Sequence, residues 1–145
     1  MEPTKNFKIF LVDDESYCLH LYKQYFNNLG YDDVTSFNNG PDCLNYLTRQ
    51  PDVIFLDYGM DDISGIDVLK KIKRFNPDIF VVFLSGQENI DTAVNALKFG
   101  AFDYIVKGTG DMLKLTKVLN KINDVKELMR AESPTLINKL LAFLQ

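Results

Sequence analysis

The stretch "KIFLVDDESYCLHLY", residues Lys8 to Tyr22, decides how the rest of the chain is read. An apolar run from Ile9 to Val12 ends abruptly in Asp13, Asp14 and Glu15. A run apolar on every residue, rather than on alternate ones, fits a strand covered on both faces, as in a parallel sheet. After the acids the pattern changes to a helical one. Cys18, Leu21, Tyr25 and Leu29 recur near the helical period, Tyr22 and Phe26 widen that face, and Gly30 closes the helix. The acids themselves pose a problem. Adjacent carboxylates repel, and they are costly to desolvate at a sheet edge unless something compensates them.

The same unit recurs along the chain. "DDVTSF" (Asp32 to Phe37) is a short strand rich in β-formers, and Asn39-Gly40-Pro41 starts the helix of "NGPDCLNYLTRQ". "PDVIFLD" (Pro51 to Asp57) is a third buried strand that again ends in an acid. "ISGIDVLKKIKRFNP" is a helix with Ile66, Leu69 and Ile72 on one side, stopped before Pro77. "DIFVVFLSG" (Asp78 to Gly86) is the fourth strand, and "NIDTAVNALKFGA" a helix capped by Gly100. "FDYIVKG" is the last strand, and "DMLKLTKVLNKINDVKELM" a long helix capped by Asp111. Strands and helices therefore alternate, which predicts a single doubly wound α/β domain with helices on both faces of a parallel sheet. Such sheets bind ligands outside the carboxyl ends of their strands.

Bulk properties exclude several classes. With 145 residues, 46% hydrophobic and 25% charged, the chain has the profile of one soluble globular domain. Its apolar runs are too short to span a bilayer, and its start, "MEPTKNFKIF", lacks the pattern of a secretory signal, so a cytoplasmic location is expected. Cys18 and Cys43 lack metal-ligand spacing and read as reduced packing residues. A net charge of -4 argues against direct nucleic-acid binding, which needs clustered Lys and Arg. The single histidine, His20, falls within the first helix and reads as a surface or packing residue.

The strand ends carry the chemistry. Asp13 and Asp14 end the first strand, Asp57 the third, Ser85 the fourth and Lys107 the fifth. Parallel strands share a direction, so all should project from one edge of the sheet into one shallow pocket. Taken singly, each has an ordinary explanation as a helix cap or a solvated side chain. Taken together they form a cluster of carboxylates with one amine, a hard-oxygen set suited to Mg²⁺.

At these residues the chain resembles the receiver domain of response regulators, the phosphoacceptor half of two-component systems. "FLVDDE", "VIFLDYGMDDISG", "VVFLSG" and "FDYIVKG" occur in the family's order, and the resemblance covers roughly residues 7 to 127. It implies a flavodoxin-like sheet in the order 2-1-3-4-5. It implies that Asp57 accepts a phosphoryl group from a histidine kinase or a phosphotransfer protein, and that the domain promotes its own phosphorylation and dephosphorylation. Asp14, Asp57 and the backbone carbonyl of Gly59 would bind Mg²⁺ directly, with Asp13 acting through a water. Lys107 would add a positive charge, and the Ser85 hydroxyl would contact the phosphoryl group. Tyr104 falls at the aromatic switch position, although a half-buried strand residue would look the same. Gly65 matches the glycine of the loop after the phosphoacceptor. The switch would alter the face of the fourth helix, fifth strand and fifth helix, toward a downstream effector or a second copy of the chain. Glu15 more simply begins the first helix, at the positive end of its dipole.

The sequence departs from the family where Asp61 and Gly108 replace prolines, which implies a more mobile and acidic loop after Asp57 and a less constrained one after Lys107. No reactive group is lost. The alternatives are an unphosphorylated interaction scaffold, a small-molecule phosphatase of the haloacid-dehalogenase type, and a flavodoxin-like cofactor binder. The phosphatase reading lacks a second acid two residues after the nucleophile, where Gly59 stands, and the cofactor reading is opposed by the acids of "DDES". The receiver is expected to span residues 1–129. Residues 130–145 form a tail in which Ser133 caps, and Pro134 opens, a helix striped with Leu136, Ile137, Leu140, Leu141 and Leu144. That stripe would pack on its own domain, mediate self-association or begin a linker.

Overall fold

The runs apolar on every residue become the inner strands of a sheet. The structure, a computed structural model, describes residues 6–60, 62–130 and 134–144, with side chains from 138 onward in the last segment. Five strands, β1 (Ile9–Val12), β2 (Val34–Phe37), β3 (Val53–Asp57), β4 (Phe80–Ser85) and β5 (Asp103–Val106), form one parallel sheet in the order β2-β1-β3-β4-β5. β1 and β3 are buried at every position, and β4 at all but its first. The edge strands β2 and β5 are only partly buried. The all-apolar sequences of β1, β3 and β4 thus reflect a covering on both faces.

The covering is visible from alternate side chains. Phe10, Val12, Ile54, Leu56, Val81 and Phe83 point to the face covered by α2 (Gly40–Asn45), α3 (Gly65–Phe75) and α4 (Ile90–Lys98), where they join Cys43, Leu69 and Ala96 in the core. On the opposite face α1 (Ser16–Asn28) sets Phe26 against Phe55, with ring centroids 4.9 Å apart. Helices therefore lie on both faces, as the alternation of elements predicted.

Local chemistry sets the helix ends. Asn39, Ser64 and Asn89 accept hydrogen bonds from the backbone N–H groups of Asp42, Asp67 and Thr92, capping α2, α3 and α4. Gly30 and Gly100, after α1 and α4, have φ of 101° and 107°, a left-handed conformation that glycine adopts without steric cost.

Three readings need correction. One position of the α1 face departs from the expected set: Tyr22 and Phe26 are buried and Cys18, Tyr25 and Leu29 half-buried, but Leu21 is 39% exposed. Leu21 follows the period only approximately, and the aromatic pair offers more area to bury. The second helix is short, ending at Asn45, and the chain continues as a 3-10 turn at Leu47–Arg49. Asp111 lies inside the first turn of α5 (Asp111–Arg130) rather than before it as the cap.

The chain divides into two compact units, residues 1–109 and 110–145. The second holds α5 and α6 (Pro134–Leu144). α5 buries Leu115, Val118, Leu119, Ile122 and Val125 at helical spacing. Lys139 and Phe143 of α6 line an open groove of about 470 Å³ with Asp124, Glu127 and Leu128 of α5, while Leu141 and Leu144 stay exposed. Ser133 and the side chains of Leu136 and Ile137 lie outside the described residues. Among the described residues, no helix is long and apolar enough to cross a membrane.

Candidate functional site

Strand register assembles the site. Val12 pairs with Leu56 and Asp57 with Leu84, so Asp13, Asp57 and Ser85 emerge together at the carboxyl edge. The ladder continues past the strand ends: Asp13 N–H donates to Phe37 O at 3.1 Å, Tyr58 N–H to Leu84 O at 2.9 Å and Lys107 N–H to Ser85 O at 2.7 Å. Each reactive residue is thereby held by backbone bonds on at least one side.

The acids occupy different environments. Asp13 is fully buried and both its oxygens are engaged: Oδ1 accepts from Glu15 N–H at 2.9 Å and Oδ2 from Lys107 Nζ at 2.8 Å. Asp57 is 6% exposed; its Oδ1 accepts from Gly59 N–H at 3.2 Å and lies 3.4 Å from Lys107 Nζ. Its Oδ2 has no hydrogen-bond partner among the described residues. Asp14 is exposed, and no described residue pairs with its carboxylate. Oxygens of Asp13, Asp14 and Asp57 can all lie within 4.8 Å of one another.

The electrostatics follow from this packing. Burial pushes the Asp57 carboxyl above its ordinary value, and the Asp13 charge pushes it further, against the opposing pull of Lys107 and Gly59 N–H. Burial alone would lower the Lys107 ammonium, but the hydrogen bond to Asp13 and the charges of Asp57 and Asp13 outweigh it and raise it. Lys107 thus stays protonated at neutral pH and bridges two acids. Cys18, whose thiol lies 3.4 Å from Glu15 Oε2, is pushed up to about 11, chiefly by burial, and is unreactive as a nucleophile. His20 is exposed, in keeping with a surface role.

Ser85 and Tyr104 form a second cluster. The Ser85 hydroxyl donates to Gln87 O at 3.1 Å and accepts from Gln87 N–H at 3.2 Å. The Tyr104 hydroxyl donates to the same Gln87 carbonyl at 3.1 Å. Both hydroxyls expected to switch therefore converge on one peptide group. The Tyr104 ring meets the edge of Tyr58, 6.2 Å between centroids, and Tyr58 in turn meets Phe83 at 5.4 Å. Sequence reasoning missed Gln87 and Tyr58. A hydroxyl at a strand end followed by glycine signals a side-chain-to-backbone turn of the kind Gln87 closes. The position of Tyr58, next to Asp57, marks it as the first residue out of the sheet.

The tightness of the loop after β3 explains Gly65. A Cβ there would lie 2.8 Å from Phe83 Cε1 and 3.2 Å from Tyr58 Cα, so the glycine is required for close approach. Asp61 is outside the described residues.

Residues 9–132 match the family described as response regulator receiver domain. The chain is 35% identical over 127 residues to the luminescence regulatory protein LuxO of Vibrio campbellii, covering 86% of this chain and 28% of that protein. It is 40% identical over 111 residues to the transcriptional regulatory protein ZraR of Klebsiella oxytoca, covering 74% of this chain and 25% of that protein. The chain thus spans about a quarter of the length of these relatives. Among solved structures, a response regulator receiver domain protein from Clostridium thermocellum superimposes with a TM-score of 0.77 at 31% identity, covering 83% of this chain and 97% of that one.

Proposed function

Because this chain belongs to the response regulator receiver domain family, a family of phosphoacceptor signalling domains, we propose that Asp57 is its phosphoacceptor and that the cluster around it drives a phosphorylation-dependent switch. The observation that carries this reading is the unequal occupancy of the acids. Lys107 and Glu15 N–H consume both oxygens of Asp13, while one oxygen of Asp57 and the whole Asp14 carboxylate remain available.

The donor set fits Mg²⁺, since three carboxylates converge and no imidazole or thiolate is among them. Asp14, Asp57 and the Gly59 carbonyl would hold the ion, and Asp13 would reach it through a water. When bound, the cation supplies charge neutralisation between the acids and the incoming phosphoryl oxygens. Asp57 is the nucleophile: its free oxygen bonds to phosphorus, the bond from phosphorus to the donor's imidazole nitrogen breaks, and the imidazole keeps the electron pair. Lys107, fixed by Asp13, neutralises charge on the transferred group.

The acyl phosphate then competes with Gln87 O for the Ser85 hydroxyl. Because Tyr104 donates to the same carbonyl, withdrawing Ser85 changes the contacts of both. The signal passes to α4, whose exposed Ile90, Val94 and Leu97 offer a surface to a downstream partner. A histidine kinase or phosphotransfer protein is the proposed donor.

Incubation with acetyl phosphate or phosphoramidate and Mg²⁺ is expected to add one phosphoryl group by intact mass, and Asp57→Asn to abolish it. No gain, together with no Mg²⁺ binding, would leave the scaffold reading. A Cβ at Gly59 or Gly86 would meet nothing within 4 Å, so water has room to approach the acyl phosphate. The phosphorylated state should therefore be short-lived, and a half-life of many hours with Mg²⁺ present would contradict this.

A further inference from the structure

Gly40 is the first residue of α2, remote in sequence from every residue of the site, and it is buried. Its φ is not in the left-handed region, so backbone conformation does not demand glycine there. Space does. A Cβ at Gly40 would lie 2.8 Å from Ile63 Cγ2, 2.8 Å from Val68 Cγ2 and 3.9 Å from Met60 Cε. Met60 and Ile63 belong to the loop between β3 and α3, which begins immediately after Asp57.

Tyr58, at the start of the loop, is tied to β4 by its N–H and packs on Phe83, but the described residues that follow it have few hydrogen-bonded restraints. Gly59 N–H is tied back to Asp57, and Ile63 N–H bonds only to neighbouring Asp62 Oδ1. Among the described residues, no hydrogen bond joins Met60, Asp62 or Ile63 to another element. Met60, 7% exposed, and half-buried Ile63 instead approach the start of α2 at Gly40. The surface they pack on is fixed, because Asn39 caps α2 and Pro41 stiffens its first turn.

We propose that Gly40 is a positioning residue for the phosphoacceptor loop: its missing side chain lets Ile63 and Met60 seat on α2, and this seating places Gly59 beside Asp57 for metal binding. The inference rests on the Asp13, Asp14 and Asp57 reading above. An added methyl at Gly40 crowds Val68 and Ile63 equally, so it is expected to cost stability at the start of α2 as well as to displace the loop. Val68 is fully buried in the core and cannot retreat, whereas Ile63 borders an open groove of about 460 Å³ shared with Pro41, Leu44 and Phe75. Ile63 therefore moves outward by about 0.6 Å or more, the shift needed to bring its 2.8 Å approach back to van der Waals distance, and carries the loop with it.

The test titrates the full chain with Mg²⁺ alone, following the Gly59 amide resonance, with the thermal midpoint measured in parallel. Gly40→Ala is expected to weaken Mg²⁺ binding about fivefold or more while the chain remains folded. Ile63→Ala, which removes the seat without a clash, should also weaken it. The double variant should bind more tightly than either single one, because the added methyl fills the space the isoleucine vacates. Gly40→Ala combined with Val68→Ala should recover no affinity. Wild-type affinity in Gly40→Ala, or equal rescue by Ile63→Ala and Val68→Ala, would show a packing role only and overturn the proposal. Failure of the unmodified chain to bind Mg²⁺ would instead overturn the metal-site reading beneath it. If Gly40→Ala does not fold, Ile63→Ala decides alone: unchanged affinity there overturns the proposal.

Discussion

At the scale of single residues, the pair that matters most is Asp13 and Lys107. A carboxylate with no exposed surface is tolerable only because an ammonium 2.8 Å away and the Glu15 N–H satisfy it. Lys107→Met leaves that charge buried beside Asp57, and we expect a loss of about 2–3 kcal/mol in urea unfolding at neutral pH. Asp13→Asn in the same background should recover much of it. The pH dependence has a definite sign. The Lys107 ammonium is raised above its ordinary value, so its contribution is complete below that value and is lost as pH climbs through the raised one. The gap between wild type and Lys107→Met should therefore shrink only at pH above about 10.5. These residues were legible because each stands at the end of an apolar run. That Asp13 is the acid closed by Lys107 was not legible from the residues themselves, since both acids lie just past β1 and only the resemblance distinguished them.

At the scale of elements, the helices behave as their ends dictate. α3 starts immediately after the phosphoacceptor loop, and its first turn is held by the Ser64 hydroxyl accepting from Asp67 N–H at 3.2 Å. Ser64→Ala should cost about 1 kcal/mol in chemical denaturation, because the amide loses its acceptor, and Ser64→Asp should restore most of it. The inner strands were readable from all-apolar runs and helix stops from Gly30, Gly100 and Pro77. The exclusion of Leu21 from the α1 face was not. Several apolar positions on α1 compete for a stripe, and on the sheet Phe55 meets Phe26 while Leu21 is left exposed. The short α2 was likewise hidden, since nothing between Cys43 and Arg49 punctuates the chain before Gln50 takes a left-handed φ of 60°.

At the scale of the whole molecule, the reactive residues and their sheet all lie within residues 1–109, and α6 forms part of the second unit with α5. We propose that residues 130–145 are dispensable for phosphoacceptance. A chain ending at Met129 should still gain one phosphoryl group from phosphoramidate with Mg²⁺, at a rate within about twofold of the full chain; complete loss of labelling in a folded truncation would contradict this. By itself the sequence determined the class of fold, the alternation of strands and helices, and the identities of the acids, the lysine and the hydroxyl. It could do so because burial on both faces leaves an unbroken apolar signature and because parallel strands deliver their ends to one edge. Only the tertiary structure decided which acid is closed by Lys107 and which is open. It alone showed that Ser85 and Tyr104 share the Gln87 carbonyl, and that Ile63, 23 residues on, closes over Gly40. Those relations depend on ångström-scale distances between segments far apart in the chain, and such distances are set by packing, on which local periodicity carries no information.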